Sequence, residues 1–135
     1  MRLDPPVSGP YRTGYTQALS ELEDNLFRQA LDHHRAGRLV EASELYQEIL
    51  QGTPDHTDVL YLLGVVAHQT GQPAQAVELI RRALAIAPDQ ARCYNLLGLD
   101  LMSLGMADEA EASFRRAIAL EDSPDGYNNL GVLWT

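Results

Sequence analysis

The chain has 135 residues, enough for one domain with a modest hydrophobic core, and its 45% hydrophobic and 21% charged content is that of an ordinary globular protein. A formal charge of −9 argues against duplex nucleic acid and anionic membrane surfaces as partners, because both need clustered Lys and Arg; a basic or neutral partner fits better. The single Cys93 excludes an internal disulfide framework and a Cys-based zinc site, and fits a reducing compartment.

The first segment, MRLDPPVSGPYRTGY, lacks the apolar core of a signal peptide, and no stretch reaches the roughly 18 apolar residues of a membrane span. A cytoplasmic protein is therefore expected. Pro5, Pro6, Gly9, Pro10 and Gly14 punctuate residues 1–20, which predicts an extended or disordered arm. From about Leu22 onward the texture is helical, and no alternating β-branched run predicts a strand.

Within the helical part the sequence repeats itself. Gly37, Gly71 and Gly105 are 34 residues apart, and so are Ala42, Ala76 and Ala110. Tyr46, Ile80 and Phe114 keep the same interval, as do Leu50, Leu84 and Ile118. Pro54 and Pro88 share it, and Gly64 and Gly98 do too, with Gly131 following 33 residues later. Each column has a physical reason. Gly64 and Gly98 remove a side chain where the first helix of a pair (A) meets the second (B), and Ala76 and Ala110 do the same from the other side. Tyr46, Ile80 and Phe114 fill the space beside them. Gly37, Gly71 and Gly105 are expected in the inter-helix turns, where a positive φ is cheap only for glycine. Pro73 suits the first turn of a B helix, and Pro54 and Pro88 end B helices.

These columns resemble the tetratricopeptide repeat, whose pattern runs W-x2-L-G-x2-Y, then A-x3-F, then P. The second unit reads Leu60, Leu63, Gly64, Ala67, Ala76, Ile80 and Pro88. The third reads Tyr94, Leu97, Gly98, Leu101, Ala110 and Phe114, with Asp122 where Pro is expected. The first reads Leu26, Gln29, Ala30, His33, Ala42, Tyr46 and Pro54. The resemblance implies an all-α helical-hairpin solenoid, wound as a right-handed superhelix, with three repeats plus one extra A helix. The arm spans 1–20 and the repeat domain 21–135, divided into repeats at 23–56, 57–90 and 91–123 and a partial fourth at 124–135.

The fourth unit begins Tyr127, Leu130, Gly131, Trp134. Its apolar residues occupy positions that a B helix would cover. Either the chain is a fragment of a longer array, or another chain buries that surface. Self-association through Tyr127, Leu130 and Trp134 into a homo-oligomer is the expectation for the isolated chain.

No catalytic constellation is legible: there is no phosphate-binding glycine loop, nucleophile elbow or His-Glu-x-x-His. No cofactor is expected. Glu78 with Arg82 and Glu111 with Arg115 read as solvated helix surface. His34 and His68 lie one period apart beside His33, but a closed metal site needs three or four converging ligands, so no metal is assigned. Cys93 reads as a packed small hydrophobe.

The resemblance implies instead a concave face, lined by A helices, that binds a peptide or partner segment. Carried across by repeat position, it comprises Asp24, Phe27, Leu31 and His34 in the first unit and Tyr61, Val65 and His68 in the second. The third contributes Arg92, Asn95, Leu99 and Met102, and the last helix Asn128 and Val132. The family's carboxylate clamp for chaperone tails is not matched, because its positions read Phe27, Leu31, Leu62, Arg92 and Leu96. A second resemblance, carried by HHRAGRLVEASELYQEIL and LYLLGVVAHQTGQPAQAVELIRRALAIAP, is to N-terminal arrays of large bacterial proteins of the O-linked N-acetylglucosamine transferase type. The asparagine ladder of that family is largely replaced, its column reading Arg28, Leu62, Leu96 and Asn129. The expected function is a non-catalytic protein–protein interaction module. The alternative is a recruiting region of a larger bacterial enzyme such as a glycosyltransferase.

Overall fold

A computed structural model describes residues 14–121, and the described residues form six α-helices and no strand. They are α1 (Gly14–Arg35), α2 (Leu39–Gly52), α3 (Thr57–Gln69), α4 (Pro73–Ile86), α5 (Ala91–Ser103) and α6 (Ala107–Glu121). The chain divides into two compact units, Met1–Leu45 and Tyr46–Thr135.

The described part of the first unit is α1 and the opening of α2. α1 runs 22 residues against 13 for α3 and for α5. It starts at Gly14, so residues 14–20 are helical where the sequence predicted arm. The last glycine of the N-terminal punctuation stands at the helix's first position, where it interrupts no interior turn. The rest of the expected arm lies outside the described residues. At the other end Gly37 takes φ 81°. The Gly37 N–H donates to His34 O, and the Arg38 N–H reaches back to His33 O at 2.9 Å, which closes the carbonyls of the last turn.

The second unit repeats that turn twice. Gly71 and Gly105 have φ of 73° and 78°. The Gln72 N–H donates to Ala67 O and the Met106 N–H to Leu101 O, at 2.8 and 2.9 Å. The left-handed conformation these bonds require explains why the 34-residue column holds glycine. Pro73 opens α4, where its missing N–H leaves no bond unmade. Ala87, the cap of α4, is extended because Pro88 follows it. His56, which carries no signal in the sequence, caps α3, its Nδ1 accepting from the Val59 N–H at 3.3 Å.

The core of this unit lies between the helices of each pair and between successive pairs: α3 packs on α4, α5 on α6, and α4 on α5. Leu60, Ile80, Leu101 and Phe114 are buried, and Ala76, Ala83, Ala110 and Ala117 are fully so. The small residues permit close approach. A Cβ added at Gly64 would lie 2.7 Å from Ile80 Cδ1, and one added at Gly98 would overlap the ring of Phe114.

Candidate functional site

The A helices of the second unit, α3 and α5, carry matched columns: Asp58 with Arg92, Tyr61 with Asn95, Val65 with Leu99, and His68 with Met102. Both helices are held by their B partners through the apolar residues above, which leaves these columns for the surface. Tyr61, Val65, His68, Asn95, Leu99 and Met102 are half-buried, and Arg92 is exposed.

Two polar contacts tie the helices together on this face. At one end the Arg92 guanidinium lies 4.3 Å over the Tyr61 ring and donates to Asp58 Oδ1 at 2.5 Å. The ring fixes the plane of the guanidinium, and the carboxylate fixes its direction. Burial raises the Tyr61 phenol above its ordinary pKa, with Arg92 pulling the other way, so the hydroxyl stays protonated and can donate. At the other end His68 Nδ1 meets Asp100 Oδ1 at 2.7 Å.

Sequence reasoning named Tyr61, His68 and Arg92 but not Asp58 or Asp100. Asp58 was findable, because it is the residue one period before Arg92. Asp100 left a fainter signal, a carboxylate inside the apolar run LLGLDLM. It is 1% exposed, and burial holds its carboxyl above the ordinary range while the His68 hydrogen bond works against that shift.

On α1, Asp24 is exposed while Phe27, Leu31 and His34 are half-buried. Asn128 and Val132, and the self-association residues Tyr127, Leu130 and Trp134, lie outside the described residues. Cys93 is fully buried on α5, and burial pushes its thiol up to about 11, with Arg92 opposing and Asp58 assisting the shift. Among the described residues, no group of three or more His, Cys, Asp or Glu side chains is gathered to hold a metal ion. No described helix is long and apolar enough to cross a membrane.

Helix pairs stepping by a fixed interval, each closed by a left-handed glycine turn, define a helical-hairpin repeat protein. The chain belongs to the tetratricopeptide repeat family: one tetratricopeptide repeat profile matches residues 33–99 and a second matches residues 91–124.

No curated protein matches the chain. Among solved structures it is similar to MamA, with 23% identity, TM-score 0.79, and coverage of 85% of this chain and 63% of that one. It is similar to the first repeat domain of Spaghetti (RPAP3) bound to the HSP90 peptide SRMEEVD, with 18% identity, TM-score 0.80, and 83% and 90% coverage. It is also similar to an O-GlcNAc transferase variant from Thermobaculum terrenum, with 27% identity and TM-score 0.73; there it covers 78% of this chain but only 20% of the transferase.

Proposed function

We propose that this chain is a non-catalytic recognition module that seats a segment of a partner protein against the exposed face of α3 and α5. The observation that carries this reading is the Tyr61–Arg92–Asp58 arrangement. An aromatic ring is held under a guanidinium that is itself anchored, so the platform needs little ordering when a partner arrives. Val65 and Leu99 supply apolar surface beside it. Cys93 is buried with its thiol pushed up to about 11, which makes it a poor nucleophile.

The similarity to a repeat domain bound to an HSP90 peptide supports peptide recognition as a use of this fold. The side chains support a different ligand, because Leu62 and Leu96 stand where a carboxylate clamp needs polar groups. The test is a peptide selected on the full chain from a displayed random library. Binding that is lost on Tyr61→Ala supports the face, and binding indifferent to Tyr61 and Leu99 rejects it.

A second reading makes the chain a recruiting region of a larger bacterial enzyme such as a glycosyltransferase. Its support is the 27% identity to the transferase. The natural open reading frame decides it: a catalytic domain encoded in the same frame supports this reading, and a frame without one removes it.

A further inference from the structure

Asp32, Val66 and Asp100 occupy one column of the repeat. Val66 and Asp100 are both buried, at 7% and 1% exposure. The fold therefore accepts an apolar residue at this position in one repeat and carries a carboxylate in the next. A carboxylate is costly to bury unless it is well paired. Asp100 has little pairing: Oδ1 takes the His68 hydrogen bond, and Oδ2 is buried with no hydrogen-bond partner. The carboxylate is thus committed to one imidazole.

That commitment sets the chemistry of the ring. An ionised carboxylate only accepts, so it selects the tautomer with the proton on Nδ1. With Nδ1 given to Asp100 at 2.7 Å, Nε2 stands at the other side of the ring, on a side chain that keeps 37% of its surface. A ring held this way has a fixed orientation. The charge around it favours a cation. Asp58 at the other end of the face is already paired with Arg92, and the chain carries a formal charge of −9.

We propose that Asp100 positions His68 as the specificity-determining contact of the α3–α5 face, and that Nε2 accepts a hydrogen bond from a Lys or Arg side chain of the partner segment. This rests on the reading of that face as the recognition surface. Asp100 acts only through His68, so it is a positioning residue.

The experiment selects displayed random peptides on the full 135-residue chain. Selected clones are then measured on Tyr61→Ala, His68→Leu and Asp100→Val. The last variant copies the residue that the preceding repeat places in this column, and His68→Leu leaves α5 untouched should Asp100→Val fail to fold. The expected clones carry Lys or Arg at a fixed place and bind about tenfold or more weakly to both His68→Leu and Asp100→Val. Nitrogen-15 spectra of the imidazole give the signature that a merely structural role would not move: the Nδ1–H tautomer in the native chain, lost in Asp100→Val. Clones that depend on Tyr61 but lack a basic residue, or that bind His68→Leu as well as the native chain, overturn the inference and leave the face standing. Clones indifferent to Tyr61→Ala overturn both.

Discussion

Gly98 on α5 and Phe114 on α6 meet with no side chain between them: a Cβ on Gly98 would collide with one edge of the aromatic ring. The equivalent pair one repeat earlier, Gly64 and Ile80, is less severe. There the colliding atom is Cδ1, the far end of a flexible side chain. Gly98→Ala is therefore expected to destabilise the protein by about 1–3 kcal/mol through overpacking. Gly64→Ala is expected to cost less, because Ile80 can rotate away and alanine's helix preference returns up to about 1 kcal/mol. Urea denaturation of the two variants checks the order; equal losses would mean that the ring yields as easily as the aliphatic tip.

The glycine turns make a separate prediction. Nothing lies within 4 Å of a Cβ built on Gly71, so space is not the issue there; its φ of 73° is. Gly71→Ala should cost about 1–2 kcal/mol from the left-handed conformation alone. Gly71→Asn should recover part of that loss, since asparagine tolerates this region better. Denaturation midpoints of the pair measure the difference.

Asp100 links stability to pH. Burial, opposed by the His68 hydrogen bond, holds its carboxyl above its ordinary value of 3.8. A carboxyl whose folded pKa exceeds its unfolded one contributes stability below the unfolded value and loses it as pH rises through the folded value. Asp100→Asn removes that loss and keeps the shape. The variant should be more stable than the native chain at neutral pH, and the gap should close as pH falls through Asp100's raised pKa toward 3.8. Thermal melts across this range provide the check. A gap that widens toward acid would show that ionised Asp100 stabilises the fold.

Cys93 gives a prediction about reactivity. With the thiol fully buried and pushed up to about 11, almost none of it is thiolate at pH 8. A thiol reagent should label the folded chain only as fast as it opens, and label it promptly in denaturant. Rapid labelling of the folded chain would place the sulfur in a different environment.

Much of this fold was legible because the repeat imposes local demands that each leave a residue. The turns needed left-handed backbone, hence Gly37, Gly71 and Gly105. The close A–B contacts needed no side chain, hence Gly64 and Gly98. The start of α1 was less legible: proline and glycine density argued for an arm through residue 20, but the helix begins at Gly14. The candidate site was legible by column only. Tyr61, His68 and Arg92 were reachable because repeat position fixes which face a residue takes. Asp100 was not, because its column mixes Asp32, Val66 and Asp100 and so announces no single environment. The cap role of His56 was not legible, since histidine is not among the common caps.

The central claim is that the α3–α5 face recognises a partner segment, and its Arg92 can be removed without unfolding the chain. Its pairing with Asp58 is exposed on both sides, so Arg92→Ala should change stability by less than about 1 kcal/mol. The most direct measurement is the dissociation constant of a library-selected peptide for the native chain and for Tyr61→Ala with Leu99→Ala, determined by calorimetry on protein verified as folded. The account predicts a Kd weakened about tenfold or more in the double variant. An unchanged Kd would contradict it.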